Sequence, residues 1–160
     1  MRVLIVGGLG YIGSELIERY KTLGSDIQVD ILDKRFVPSI VLGLPANFRF
    51  VQGDMRDNSK IGPLLEKNPN IVYLLAAEVH AESSVNRERA IWENNFEGMV
   101  KVIEKCSPGT RLVYASTGNV FGGLSEGEKH MDLTEEDRPR PTYPYAESKL
   151  CLLYTSDAAD

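Results

Sequence analysis

Tyr145 and Lys149, four residues apart in YAESK, are a pair of side chains that can move a proton. On a helix that spacing puts both on one face. A phenol titrates near 10 in water, too high for a general base at neutral pH. An ammonium beside it favours the phenolate and lowers that value, so the pair could take a proton from a substrate hydroxyl. Upstream, in VYASTGNVFG, two hydroxyl residues stand side by side, Ser116 and Thr117. A Tyr-x-x-x-Lys alone says little: the chain has seven tyrosines, and such a pair is more often an exposed helix face. Its weight comes from what precedes it.

Gly7, Gly10 and Gly13 lie in GGLGYIG, between the apolar run Val3 to Val6 and a helical pattern of Ile12, Leu16, Ile17, Tyr20 and Leu23. Glycine suits a turn whose backbone angles a side chain would block and whose backbone must approach a pyrophosphate closely. The helix that follows offers unpaired N–H groups and a partial positive charge to phosphates. Strand, glycine turn, helix and an acidic residue twenty positions on (Asp33) together make a dinucleotide-binding motif. The expected cofactor contacts here are Gly7, Gly10, Tyr11, Ile12 and Gly13, with Asp33 accepting from the ribose hydroxyls. A carboxylate there favours NAD and repels the extra phosphate of NADP. Lys34 and Arg35 follow directly and could attract that phosphate instead. Asp54 and Met55 end the third strand at the same edge, which reads as the adenine side or, for Asp54, as a plain turn.

These residues need a scaffold, and the chain alternates strand and helix patterns throughout. Val3 to Val6, Ile27 to Leu32, Phe48 to Val51, Ile71 to Leu75 and Leu112 to Ala115 read as five strands. A helix is predicted after the first, a short one around Ile61, Leu64 and Leu65, and a longer one marked by Ile91, Trp92, Phe96, Met99, Val100 and Ile103. Such alternation calls for α/β architecture, a Rossmann-type doubly wound parallel sheet with helices on both faces. The stretch from Gly122 to Pro144 is the one long irregular segment, and segments of that length usually have a function. A formal charge of −5 argues against a nucleic-acid binder. No apolar run approaches membrane-spanning length, and neither a signal peptide nor a metal-ligand spacing is visible. The expectation is a cytoplasmic, reduced protein with no metal, no nucleic acid and no membrane partner.

The middle of the chain carries a resemblance. LLAAEVHAESSV followed by NNFEG, the SerThr pair and the TyrLys pair resemble the extended short-chain dehydrogenase/reductases, the NAD-dependent epimerase/dehydratase family typified by UDP-glucose 4-epimerase. The glycine spacing GxxGxxG is that superfamily's variant. By the resemblance Ala76 and Ala77 pack beside the cofactor, Ser84 lies near the substrate, and Asn95 touches the cofactor side. Thr117, Tyr145 and Lys149 form the catalytic set, with Lys149 also holding the nicotinamide ribose, and the substrate is a nucleotide sugar. A homodimer is the expected assembly of the full-length protein. Dehydratases of this family place an acidic pair after the catalytic threonine; Gly118 and Asn119 stand there, which disfavours dehydration. The alternatives to an epimerase are an NAD(P)-dependent sugar dehydrogenase or reductase, a decarboxylase, or a non-catalytic NAD(P)-binding regulator. His80 and His130 are candidate substrate contacts, although loop histidines are more often merely solvated, and Cys106 reads as packed.

The resemblance runs from Met1 to about Leu150. Residues 151–160, CLLYTSDAAD, read instead as an in-frame translation of a transposon end joined to a sequencing adapter. On that reading residues 1–150 are an incomplete NAD-binding domain, C-terminally truncated, and the substrate domain is missing. The tail is expected to add no packing, and the fragment to be inactive.

Overall fold

The computed structural model describes residues 1–79, 85–122 and 133–157. The chain forms two units, Met1–Ala77 with Gly98–Ala115, and Glu78–Glu97 with Ser116–Asp160. In the first, the apolar run after Met1 becomes β1 (Arg2–Val6), in which Val3 and Ile5 are fully buried and Leu4 and Val6 nearly so. Alternate residues of a strand face opposite ways, so a strand buried at every position must be covered on both faces. β2 (Gln28–Asp33), β3 (Phe48–Gln52), β4 (Ile71–Leu74) and β5 (Arg111–Tyr114) join it in the order β3-β2-β1-β4-β5, every pair parallel. This is the doubly wound α/β sheet that the alternation predicts.

Helix α1 (Tyr11–Lys21) sets Ile17 and Tyr20 against Val3, Ile5, Val29 and Ile31. Arg19 and Lys21 in its last turn complement the negative helix end. The Tyr20 hydroxyl shares a 2.9 Å hydrogen bond with that of Tyr73, and burial first, then this partner, raises the Tyr20 phenol above its ordinary range. A short α2 (Pro38–Val41) has no counterpart in the sequence pattern. α3 (Asn58–Leu65) forms despite Gly62 and Pro63 because Asp57 caps it, its carboxylate accepting from Ser59 N at 2.9 Å. Asp30, buried within β2, is balanced by Lys67 at 2.7 Å and Arg2 at 4.0 Å. α5 (Met99–Ile103) completes the unit, burying Met99 and Val102.

The second unit holds α4 (Val85–Trp92), all but the last residue of a π-helical turn (Glu93–Gly98), a 3₁₀ turn (Gly118–Phe121) and α6 (Pro144–Asp157). The single helix predicted around Ile91 to Ile103 is therefore α-helix, π turn and α-helix in succession. Its apolar spacing is helical on either side and does not register the wider turn between them; such turns are often found at functional sites. α6 continues through Cys151, and Leu152 is only 2% exposed. The expectation that the tail adds no packing is thereby corrected. An apolar residue four positions beyond Ser148 falls on the buried face of a continuing helix whatever its origin.

Candidate active site

The glycine turn is a cradle built by exclusion. Gly7 has φ +85°, and a Cβ there would lie 2.6 Å from Ala76 Cα and 2.9 Å from the Leu75 carbonyl carbon. A Cβ on Gly13 would meet Gly8 Cα, Gly8 O and Gly7 O, each at 2.6 Å. Both glycines let backbone run against backbone. Gly7 N donates to Leu32 O at 2.8 Å and Ala76 N to Val6 O at 3.0 Å, which fixes the turn over the ends of β1, β2 and β4. Gly10 caps α1 without a side chain, so the first-turn N–H groups of Tyr11, Ile12 and Gly13 have no intrahelical acceptor. The Tyr11 and Ile12 side chains are exposed. Backbone donors at a helix start, with no Cβ in front of them, fit a pyrophosphate.

Asp33 ends β2 at 9% exposure and accepts from Leu9 N and Arg35 N, both at 2.9 Å. The Arg35 guanidinium donates to Leu9 O. The two peptide groups of Leu9 are thus held from both sides by the end of β2, a clamp on the loop that sequence reading missed. Asp54 is engaged by Arg56 at 2.7 Å and Lys34 at 3.3 Å, and the Arg56 hydrogen bond above all holds its carboxyl well below the usual range. Met55 beside it is buried, and Ala76 and Ala77 are half-buried after β4.

We expect Gly7→Ala to destabilise the fold by at least about 2 kcal/mol, because a strained φ and a backbone collision act together. Gly24→Ala is the matched control, with φ +98° and nothing within 4 Å of the added methyl. Urea unfolding of both variants measures the collision as their difference; equal losses would show that the Ala76 contact costs nothing.

In the second unit Thr117, Tyr145 and Lys149 come together. The Tyr145 phenol is hydrogen-bonded to Thr117, and Lys149 Nζ lies 5.9 Å from the Tyr145 ring centroid. Thr117 caps the 3₁₀ turn, its hydroxyl oxygen accepting from Asn119 N at 3.3 Å. That leaves the hydroxyl proton for donation to the Tyr145 oxygen, and this bond pulls the phenol's pKa down. Burial first, and Tyr143 second, push it up, and the net direction is up. The lowered value expected from the ammonium is therefore not a property of this pair on its own. Lys149 is 1% exposed, and burial lowers its pKa to about 8.

Asn95, fully buried in the π turn, accepts from Glu78 N at 2.8 Å and Asn94 Nδ2 at 3.0 Å, and donates to Glu78 O at 3.0 Å. It also approaches Ser148 Oγ at 3.5 Å, while Ser148 donates to Tyr145 O at 2.8 Å. Its side chain is spent on the protein, tying the backbone at Glu78 to the helix that carries Tyr145 and Lys149. Sequence reading does not single out Ser148, although it sits inside YAESK. The half-buried Cys106 thiol donates to Val102 O, and burial pushes its pKa up, as a packed cysteine should be. Ser84, His80 and His130 lie outside the described residues. Among the described residues no cluster of His, Cys, Asp or Glu could hold a metal, and no helix is long and apolar enough to cross a membrane.

A parallel sheet in this order, with a glycine cradle after its first strand, defines an α/β protein of the Rossmann type. Residues 3–159 match the NAD dependent epimerase/dehydratase family, and the chain belongs to it. It is 34% identical to a dTDP-glucose 4,6-dehydratase of Streptomyces niveus, over 93% of this chain and 46% of that protein. It is 31% identical to a UDP-glucose 4-epimerase of Streptococcus mutans, over 95% of this chain and 45% of that one. Among solved structures, the UDP-glucose 4-epimerase of Thermus thermophilus in complex with NAD superposes with a TM-score of 0.82 at 30% identity, covering 99% of this chain and 50% of that one. The chain thus spans about half the length of the relatives it matches.

Proposed function

We propose that this chain supplies the cofactor-binding and proton-transfer part of an NAD-dependent epimerase acting on a nucleotide sugar. The observation that carries the reading is the Thr117–Tyr145–Lys149 arrangement, in which a phenol is met by a hydroxyl donor and backed by a buried lysine. Gly7, Gly10 and Gly13, with the first amides of α1, would hold the pyrophosphate of NAD, and Asp33 the adenosine ribose. NAD, when bound, supplies a hydride acceptor that can give the hydride back, and a positive charge on its nicotinamide. Tyr145 Oη takes the proton of a sugar hydroxyl and later returns it. Thr117 donates a hydrogen bond to the same oxygen, and Lys149 supplies the positive charge that favours the phenolate.

Epimerisation is favoured over dehydration because Gly118 and Asn119 follow Thr117. Neither carries a carboxyl, and elimination of water needs an acid and a base at the sugar. The remaining sheet and a sugar-binding domain would follow in a chain as long as its relatives, with residues 1–150 as the cofactor domain. Sequencing the source DNA across codon 150 tests whether residues 151–160 belong to the gene; finding the same ten codons there would end the adapter reading. Turnover of a panel of nucleotide sugars by the complete reading frame tests the function. Inversion at one sugar carbon supports it, and NAD binding without turnover on any sugar would favour a non-catalytic binding module.

Cofactor choice follows from Asp33. We expect NAD to bind at least about tenfold tighter than NADP, a difference of ~1.4 kcal/mol, because the 2′-phosphate meets a fixed carboxylate. Calorimetric titration of both decides it. A tighter NADP would mean that Arg35, whose guanidinium already lies against the loop at Leu9, outweighs Asp33.

A further inference from the structure

The residue that starts α6 is a poor choice for starting a helix. Tyr143 lies just outside it, before Pro144, and its carbonyl accepts the first helical hydrogen bond, from Glu147 N at 3.1 Å. That makes it the N-cap, a position that favours Ser, Thr, Asp or Asn, whose short oxygen can reach back to a first-turn amide. A tyrosine ring cannot do this. The ring instead stacks on that of Tyr145, with centroids 6.2 Å apart and planes 18° from parallel. Two residues apart within a helix, side chains point away from each other. The pair can meet because Tyr143 stands outside the helix, where the following proline holds it away from helical angles. A local preference broken beside a reactive group, where the residue before the helix brings a stacked ring and no short cap oxygen, marks a functional compromise.

We infer that Tyr143 is a positioning residue for the proposed base: its half-buried ring, stacked on Tyr145, fixes the phenol in the orientation that meets Thr117. This rests on Tyr145 being the base. The phenol has two soft side-chain torsions, and Thr117 restrains only its oxygen. A parallel ring at stacking distance restrains the plane of the phenol as well. Ala146 and Ser148, buried next to it, fix the helix but not the ring.

The test uses two variants in the complete reading frame. Tyr143→Ser restores a favourable cap and removes the ring; Tyr143→Phe keeps the ring and loses only the hydroxyl. We expect Tyr143→Ser to melt at or above the parent's temperature yet lose about tenfold in kcat, with KM changed less than twofold. Tyr143→Phe should keep kcat within about twofold of the parent. A Tyr143→Ser enzyme as active as the parent would overturn the inference. So would a Tyr143→Phe enzyme as impaired as the serine variant, because the hydroxyl and not the ring would then be at work. If Tyr143→Ser melts lower, Tyr143→Ala, which also lacks a cap oxygen, separates the effects: kcat lost equally in both supports positioning, and kcat tracking the melting temperature overturns it. Failure of the underlying reading looks different, since Tyr145→Phe itself would then stay active.

Discussion

Replacing Tyr145 by phenylalanine in the complete enzyme should cut turnover by about 10²-fold or more while leaving NAD affinity within about twofold. The substitution removes one oxygen from a half-buried ring that the stack with Tyr143 and the α6 backbone hold in place. Phenylalanine stacks as well as tyrosine does, so the fold should be untouched. The lost oxygen is the atom to which Thr117 is hydrogen-bonded. Its loss removes the acceptor for the substrate proton and leaves Thr117 with one partner fewer. Steady-state kinetics with calorimetry of NAD checks both halves. Activity within a few-fold of the parent would show that another group takes the proton.

The second large effect belongs to Lys149. The residue is 1% exposed, and burial brings its pKa from 10.5 down to about 8. Below pH 8 folded and unfolded chains both carry the proton, and the burial penalty is fully present. Between about 8 and 10.5 the unfolded chain holds the proton and the folded chain does not, so stability rises with pH across that window. The full shift corresponds to roughly 3 kcal/mol at most. We therefore expect Lys149→Met, similar in length and uncharged, to be more stable than the parent at pH 7, with the gain gone near pH 10.5. Turnover and NAD binding should both fall. Urea midpoints at the two pH values test this, and a methionine variant less stable at pH 7 would mean that contacts to the ammonium outweigh its burial.

The fold is largely legible in the sequence because its signals are local. Apolar runs, interrupted by Asp30 in β2 and Arg49 in β3, mark the five strands to within a residue or two, and Gly7 and Gly13 mark a turn where backbone runs against backbone. The site is legible as residue types but not as contacts. Nothing in the spacing of Ile91, Phe96 and Val100 reveals a π turn, because apolar spacing follows the buried stripe and not the hydrogen-bond ladder inside it. The clamp of Asp33 and Arg35 on Leu9 joins residues 24 and 26 positions apart, and no one-dimensional pattern pairs a side chain with a distant peptide group. Leu152 escapes a reading by composition because helical register decides its burial. Tyr143 escapes as well, since a tyrosine before a proline has no motif; only the ring geometry gives it meaning.

If the chain belongs to the epimerase proposed above, hydrogen leaves one sugar carbon and returns to that same carbon, with Tyr145 holding the proton meanwhile. Incubating the complete enzyme and NAD with a nucleotide sugar deuterated at the carbon that inverts, and following the product by NMR and the cofactor at ~340 nm, tests it directly. The expected outcome is an inverted product that keeps its deuterium, with no accumulation of reduced cofactor. Deuterium exchanged for solvent hydrogen, or one reduced cofactor formed for each sugar consumed, would contradict it.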